Sequence, residues 1–294
     1  MELRQLRYLV ALAEEQHFTR AAARCRVAQP ALSQQIRKLE RDLGVQLVDR
    51  TTRSVRLTEA GALLTAHARR VLAEVQDARA ELEQLTGLVA GRVTIGLTQT
   101  PGPIDLVRLL AEFHARHPQV ELVVREDLSK TLADALREDA LDVAFLSIVE
   151  EADRRGLELE ELAEEPLVLV VPEGHRLAAR RRASVRDLDG EELVAFGEGA
   201  TIRRAVERAA RAAGVTPRIA FETREVLLTR QLVAAGLGVA VLPRSDAEAP
   251  GPPVRSVALR APTLTHRISL CWRDGKRHAP AARALLEHAR AAYG

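Results

Sequence analysis

Apolar residues recur every three or four positions through the first 43 residues, which predicts three short helices. The first spans residues 3–15. The second spans residues 20–25 and takes Thr19 as its N-cap. The third begins at Pro30, because a first-turn proline lacks only an N–H that the helix would leave unpaired. It ends at Gly44, which suits a left-handed C-terminal stop.

The third helix has two contrasting faces. Its inner face is an apolar stripe at steps of four, three and four: Leu32, Ile36, Leu39 and Leu43. Its outer face and first turn are predicted to carry Gln29, Pro30, Ser33, Gln34, Arg37 and Arg41. Amide, hydroxyl and guanidinium groups on such a rod suit the major groove of DNA. Two short strands, over 45–50 and 54–57, follow around a polar turn and complete a winged helix-turn-helix.

A heptad repeat follows, on a helix that Thr58 caps. Apolar or small residues alternate steps of four and three from Leu57 to Leu85. A helix buried alone drifts away from a strict seven-residue repeat, so the pattern favours a partner helix from a second copy of the chain. The positions expected on this dimerisation seam are Leu64, Ala68, Val71, Val75, Ala78 and Leu82. Gly87 and Gly91 end the helix.

The period changes after Arg92. Strands near 93–97, 120–124 and 141–146 alternate with helices near 104–116 and 130–138, which predicts a parallel, doubly wound sheet. A buried strand over 166–172 opens a second unit with strands near 192–196, 218–222 and 237–242 and helices near 202–213 and 225–235, then a loop over 246–253. A late strand over 267–272 and a helix over 279–292 return to the first unit, giving two lobes joined by two crossings.

The composition excludes several classes of protein. With 47% hydrophobic residues the chain has enough apolar material for cores, and no apolar run reaches the roughly 18 residues of a membrane span. The charged N-terminus lacks a secretory apolar region, so we expect a cytoplasmic protein. Residues 1–58 hold eleven basic and six acidic residues, a net of +5, whereas the remainder is at −3. A basic head on a mildly acidic body indicates a polyanionic partner.

Several motifs in fixed register then carry a family resemblance. The runs HFTRAAA (17–23), AQPALSQQI (28–36) and LERDLGVQL (39–47) resemble the N-terminal signature of LysR-type transcriptional regulators, and DRT (49–51) and LTEAG (57–61) continue it. The resemblance covers the whole chain. It implies an α/β fold class with an all-α winged helix-turn-helix head, a long linker helix and a two-lobed effector domain similar to type 2 periplasmic-binding proteins.

The resemblance also implies domain bounds. The DNA-binding head covers residues 1–58, with its helix-turn-helix at about 18–37, and the linker helix covers 59–88. The effector domain covers 92–294, with lobe I at about 92–163 and 267–294 and lobe II at about 164–266. Family positions that contact DNA match Gln29, Pro30, Ser33, Gln34 and Arg37, and Arg50 and Arg53 match the basic wing. Arg37 and Arg53 could instead be solvated surface charges.

The family resemblance further implies how such a protein works. Two heads on a coiled coil would bind a near-palindromic site. A dimer of dimers would bend the DNA between two such sites, and RNA polymerase would be a further partner. Activation of a neighbouring gene after effector binding, with repression of its own gene, is the common family mode. A small-molecule effector is expected, with no cofactor, no metal and no membrane.

Three loops of the body are predicted to meet in a crevice between the lobes, because ligands bind beyond the carboxyl ends of strands in open α/β sheets. They are 98–100, the helix start at Ser129 and the helix start at 199–202, where hydroxyls and free N–H groups suit a carboxylate. Family register adds Ser147 and selects the expected effector residues: Thr100, Ser129, Ser147, Thr201 and Ile202. The alternative is a purely structural role, in which these hydroxyls only cap helices and turns.

Two departures from relatives in the family stand out. Members that respond to muconate-like dicarboxylates carry an arginine at the position of Ser147, so the charge of the effector is left open. Peroxide-sensing members use two cysteines in the second lobe, whereas this chain has only Cys25 and Cys271. Sensing through a disulfide is therefore not expected.

Two other functions fit the sequence less well. An enzyme is disfavoured because no Gly-x-Ser-x-Gly, Walker or Gly-x-Gly-x-x-Gly motif occurs, and His114 and His117 lack further ligands at metal spacing. A solute-binding protein for transport would fit the two-lobed body. The basic head and the missing signal peptide argue against it.

Overall fold

The structure is a computed structural model that describes residues 1–50, 55–84, 89–148, 151–260 and 263–293, without the side chains at 50, 76, 77, 79–84, 151 and 152. It forms two compact units. The first comprises Met1–Gly91 with the short segments Glu138–Ala140 and His278–Pro280, and the second comprises Arg92–Arg137, Leu141–Arg277 and Ala281–Gly294. No helix of the described part of the chain is both long and apolar enough to span a membrane.

The first unit is a winged helix-turn-helix with one long helix appended. Its elements are α1 (Leu3–Glu15), α2 (Phe18–Arg24), α3 (Gln29–Leu43), β1 (Val48–Arg50), β2 (Val55–Leu57) and α4 (Glu59–Gln84). Most of the predicted apolar stripe of α3 is confirmed as core: Leu32, Ile36 and Leu39 are fully buried and pack with residues of α1 and β1. Leu43 is a correction, because this last residue of the helix is 41% exposed. Gly44 ends α3 with a φ of 70°, as its lack of a Cβ allows.

The start of α2 corrects a prediction. Thr19 is not the N-cap. The helix begins at Phe18, two residues earlier than predicted, and the Nδ1 atom of His17 accepts a hydrogen bond from the Thr19 amide at 3.2 Å. Phe18 packs against the core of the unit, and burying that ring moves the start of the helix ahead of the threonine.

Two polar contacts attach the wing to the helices. One carboxylate oxygen of Glu40 accepts hydrogen bonds from the amides of Leu47 and Val48 at 3.1 and 3.2 Å, at the entry to β1. Thr58 caps α4 as predicted, because its hydroxyl accepts from the Gly61 amide at 3.0 Å. A Cβ at Gly61 would lie 1.9 Å from the Leu47 carbonyl oxygen, so only glycine permits this approach of α4.

The second unit is an α/β structure of two lobes. Its strands are β3 (Gly91–Leu97), β4 (Val120–Glu126), β5 (Val143–Leu146), β6 (Leu157–Pro172), β7 (Arg182–Ala183), β8 (Glu192–Phe196), β9 (Arg218–Thr223), β10 (Ala240–Pro243), β11 (Val254–Leu259) and β12 (Thr265–Arg273). Its helices are α5 (Leu106–Arg116), α6 (Ser129–Arg137), α7 (Glu151–Arg154), α8 (Thr201–Ala212), α9 (Val226–Ala234), α10 (Arg244–Glu248) and α11 (Pro280–Tyr293).

The sheet is mixed rather than wholly parallel as predicted. β3 pairs with β5 in parallel, and β8 pairs with β9 in parallel. β12 lies antiparallel to both β5 and β6, while β10 and β11 lie antiparallel to β6. β6 and β12 pair antiparallel with each other because they are the two crossings between the lobes and run in opposite directions.

β6 is the element that the sequence underestimates. It begins at Leu157, not at Pro166, and its 16 residues run from lobe I into lobe II. Its first half pairs with β12, and its second half pairs with β10 and β11. The glutamates at 160, 161, 164 and 165 therefore lie within a strand. The predicted loop over 246–253 is also corrected in part, since α10 covers its first residues.

Candidate functional site

The outer face of α3 is polar and open to solvent. Gln34, Arg37 and Arg41 are exposed, and Pro30 is exposed at the first turn, while Gln29 is half-buried. These residues lie opposite the buried stripe, as their helical spacing predicts. Gln34, Arg37 and Arg41 also line an open groove that continues to Gln46, at the entry to the wing. The structure thus brings the helix-turn-helix and the wing together along one polar surface.

Ser33 corrects the expectation that it points outward. It is only 6% exposed. The residue lies about 60° around the helix from Ile36, at the edge of the buried stripe, and its side chain is too short to reach past its neighbours. Its hydroxyl accepts a hydrogen bond from the Arg37 guanidinium at 3.3 Å. Ser33 therefore orients Arg37 from within the unit.

The charges of the first unit are unevenly neutralised. Arg24 forms an ion pair with Glu14, and Lys38 pairs with Glu2 at 3.4 Å. In contrast, no carboxylate of the described residues pairs with Arg37 or Arg41. The groove along α3 consequently keeps positive charge that its own unit does not satisfy, which favours a polyanion at this face.

The wing and the long helix are described only in part. The backbone of Arg50 lies in β1, but its side chain, all of Arg53 and the side chain of Leu82 fall outside the described residues. On α4, Ala68 is 1% exposed and is already covered within this chain, so its assignment to a seam with a partner helix is corrected. Leu64 packs partly on the core of the first unit. Val71 remains 43% exposed, Ala78 is exposed and Val75 is half-buried.

All five predicted effector residues meet in one narrow cavity of the second unit. Thr100, Ser129 and Ser147 come from lobe I, and Thr201 and Ile202 come from the start of α8 in lobe II. The cavity leaves space for roughly one water molecule. Of its remaining walls, Thr98, Gln99 and Ala200 belong to the predicted loops 98–100 and 199–202, whereas Leu128 and Phe196 were not predicted. The lobes are therefore closed upon each other along a line of small polar side chains.

Hydrogen bonds join these residues to one another. The Thr201 hydroxyl donates to the Ser147 carbonyl oxygen across the cleft at 3.1 Å. The Ser129 hydroxyl accepts from the Ser147 amide and donates to the Thr98 hydroxyl, both at 3.2 Å. Thr100, Ser129 and Ser147 are all less than 8% exposed. Their hydroxyls thus serve structure in the closed cleft.

His266 is a buried member of this cluster that sequence reasoning did not identify. Its Nε2 atom lies 2.8 Å from the Thr100 carbonyl oxygen and 3.2 Å from the Thr100 hydroxyl, and its Nδ1 atom lies 3.4 Å from the Ser147 hydroxyl. Burial lowers the pKa of His266 below its ordinary value, so the ring is neutral near pH 7. One neutral tautomer satisfies both sides: Nε2–H donates to Thr100, and Nδ1 accepts from Ser147.

A second polar cluster lies next to His266 at the crossing between the lobes. Glu165, opposite His266 in the β6–β12 pairing, accepts hydrogen bonds from the amide and the hydroxyl of Ser245, both at 2.7 Å. Burial and the nearby charge of Glu165 raise the pKa of Asp246 to about 7, although the charge of Arg230 opposes the shift. The Oδ2 atom of Asp246 is buried without a hydrogen-bond partner among the described residues.

The two cysteines lie in different environments. Cys25 is a half-buried residue at the end of α2 in the first unit. Cys271 is fully buried in β12 of the second unit, and burial raises its pKa to about 12. A thiol with such a pKa carries almost no thiolate at neutral pH, which makes Cys271 a poor nucleophile.

Comparison with protein-family models gives two matches. Residues 3–62 match the model described as bacterial regulatory helix-turn-helix protein, lysR family. Residues 86–294 match the LysR substrate binding domain. The first match spans the helix-turn-helix and the wing, and the second spans the two-lobed unit that contains the cleft.

Individual relatives agree with these models. The hydrogen peroxide-inducible genes activator of Dickeya chrysanthemi is 39% identical over 243 residues, which cover 83% of this chain and 79% of that protein. Full-length OxyR from Pseudomonas aeruginosa has a TM-score of 0.76 at 32% identity and covers 99% of this chain and 95% of its own. CbnR in complex with its target DNA has a TM-score of 0.69 at 27% identity, covering 99% of both chains.

Proposed function

Because this chain belongs to the LysR family of bacterial transcriptional regulators, we propose that it binds an operator through the outer face of α3 and the wing. The observation that supports this proposal is the state of Arg37 and Arg41. Both arginines line an open polar groove on the side of α3 opposite its buried face, and neither pairs with a carboxylate of the described residues. Gln29, Pro30, Gln34 and Arg37 would face the bases. Ser33 would hold Arg37 from behind, and Arg50 and Arg53 would lie along phosphates.

Arg37→Ala tests this proposal. A duplex from the region upstream of the gene is titrated with the protein by fluorescence anisotropy, with excess non-specific DNA present. A lost bidentate base contact costs about 1–3 kcal/mol, so we expect specific affinity to fall by about 10-fold or more. Arg7→Ala, an exposed arginine on α1, is the matched control and should bind as the unaltered protein does. Equal losses for both variants would leave only general electrostatic attraction and would refute the assignment.

The assembly follows from symmetry. Two heads on a two-fold axis require two related half-sites, so we propose a near-palindromic operator and a dimer of dimers. The exposed Val71 supports an α4 seam, joined by the exposed Leu63, which the heptad pattern missed. Val71→Asp should lower the sedimentation coefficient at micromolar concentration, whereas Glu74→Asp on the same helix should not. We further propose that the protein activates a neighbouring gene and represses its own gene. In this proposal it acts in the cytoplasm and contacts RNA polymerase.

The cleft of the second unit is the proposed effector site. Thr100, Ser129, Ser147 and Thr201 would offer hydroxyl and backbone groups to a small polar molecule, with Ile202 packing on its apolar side. A panel of small carboxylic acids is screened by thermal shift on the full chain. A ligand that stabilises the protein should lose its effect in Thr100→Val/Thr201→Val and keep it in Ser256→Ala, an exposed hydroxyl of lobe II. A shift retained in the double variant would place the ligand elsewhere.

We propose reversible ligand binding rather than thiol oxidation as the signal, even though a peroxide-inducible activator is among the relatives. One cysteine sits in each unit, and Cys271 is buried with its pKa raised to about 12. Hydrogen peroxide should leave operator affinity unchanged. A peroxide-dependent change that Cys271→Ser abolishes would overturn this part of the proposal.

A further inference from the structure

Lobe II contains a mostly apolar cavity that is separate from the cleft. It has a volume of about 260 Å³ and lies inside lobe II, between α8 and the strands β8 and β9. Its floor is built from β8, around Val194, and its roof from Val206 on α8. A cavity of about 150 Å³ holds benzene in a protein core. The space under α8 therefore accommodates one aromatic ring with a short substituent.

The mouth of this cavity is charged. Arg203 is half-buried there, but it is engaged by Glu207 at 2.8 Å, Glu222 at 2.5 Å and the Phe196 carbonyl oxygen at 3.2 Å. Arg211, one turn after Glu207, is exposed and pairs with no carboxylate of the described residues. An apolar chamber with one uncommitted guanidinium at its mouth suits a molecule with a ring at one end and an anionic group at the other.

We propose that lobe II contains a second ligand site, beneath α8, that takes a small aromatic carboxylic acid. The ring occupies the space between Val194 and Val206, and the carboxylate meets Arg211. Phe196 and Ile202 line both this cavity and the cleft, so they form the wall between the two sites. Binding of the acid can be measured without DNA and without a cleft ligand.

The probe is 4-fluorobenzoate, followed by fluorine NMR on the full chain, with 4-fluorobenzyl alcohol as the neutral analogue. Ten heavy atoms in such a pocket predict a dissociation constant of about 10 mM or lower. Arg211→Gln should weaken binding of the acid about five-fold, the most that an exposed ion pair contributes, and leave the alcohol unchanged. Arg208→Gln is the control, because Arg208 is exposed on the same helix and does not line the cavity.

Two further variants locate the probe. Val206→Phe fills the chamber and should abolish binding of both compounds, whereas Thr201→Val alters the cleft and should leave both unchanged. Loss in Thr201→Val with retention in Val206→Phe would put the probe in the cleft and overturn the proposal. Absence of saturable binding at about 10 mM, or equal effects of Arg211→Gln and Arg208→Gln, would overturn it as well. The arginine pair lies at the surface, so this comparison stands even if Val206→Phe misfolds.

Discussion

Asp246 is a buried carboxyl group whose neutralisation should stabilise the second unit in a pH-dependent way. The ordinary pKa of 3.8 applies to the unfolded chain, and the pKa of Asp246 is about 7 in the folded chain, because burial and Glu165 disfavour its charge. The folded form thus holds the proton more tightly. The stability that the protonated side chain contributes is therefore fully present below pH 4, and it is lost as the pH rises through 7. Asp246→Asn removes the titration and keeps the shape of the side chain.

The size of the effect follows from the shift. A difference of about three pKa units corresponds to about 4 kcal/mol, of which about 2.5 kcal/mol develops between pH 5 and pH 8. Asp246→Asn should therefore be more stable than the unaltered protein at both pH values. The difference in unfolding free energy between the two proteins should be about 2.5 kcal/mol larger at pH 8 than at pH 5. With a urea slope of a few kcal/mol per molar, the growth appears as a midpoint shift of about 1 M.

Urea unfolding monitored by tryptophan fluorescence measures this effect directly. The chain has one tryptophan, Trp272, and it lies in β12 of the same unit as Asp246. Urea is uncharged and leaves the electrostatic interactions unscreened. Glu248→Gln, an exposed carboxylate of α10, is the matched control and should show no gain that depends on pH. An Asp246→Asn advantage of equal size at pH 5 and pH 8 would refute the reasoning.

Two further predictions concern packing and thiol chemistry. Gly61→Ala should destabilise the first unit by about 3 kcal/mol and lower operator affinity, because the added Cβ would collide with the Leu47 carbonyl oxygen. Circular dichroism melts measure the loss of stability. Ala62→Ser, at the neighbouring exposed position, is the control and should leave the melt unchanged. In a colorimetric thiol titration at pH 8, only Cys25 should react in the native chain and Cys271 only in denaturant. Two thiols reacting at once in the native protein would contradict the burial of Cys271.

Local patterns predicted the helix-turn-helix well because its signals are local. Leu32, Ile36 and Leu39 share one face of a helix at fixed spacing, and the same spacing assigns the opposite face to Gln34 and Arg37. Ser33 shows where the argument reaches its limit. Its angular position lies between the two faces, and the length of the side chain then decides whether it emerges.

The sequence predicted the hydroxyl side chains that line the cleft, but it did not predict the buried His266 that they surround. Thr100, Ser129 and Thr201 follow strands or begin helices, so their positions are local facts of the sequence. His266 contacts Thr100 across 166 residues of sequence, and nothing near it in the chain indicates a site. The first half of β6 was missed for a related reason, because its glutamates interrupt the apolar run that predicts a buried strand. They are compatible with a strand because they find partners along the neighbouring elements, Glu164 with Arg267 at 2.9 Å and Glu160 with Arg290 at 2.6 Å.

If the cleft is the effector site, as proposed, its closed state constrains the chemistry of the effector. Its polar groups already satisfy one another, and the space among them holds roughly one water molecule. A ligand must therefore separate Thr201 from Ser147 to enter, and it must then replace the hydrogen bonds that it breaks, since a buried hydroxyl left unpaired costs about 1–3 kcal/mol. An apolar compound cannot repay that cost. A molecule with at least two acceptors, one for the Thr201 hydroxyl and one for the free N–H groups at the start of α8, can hold the lobes apart at little net loss.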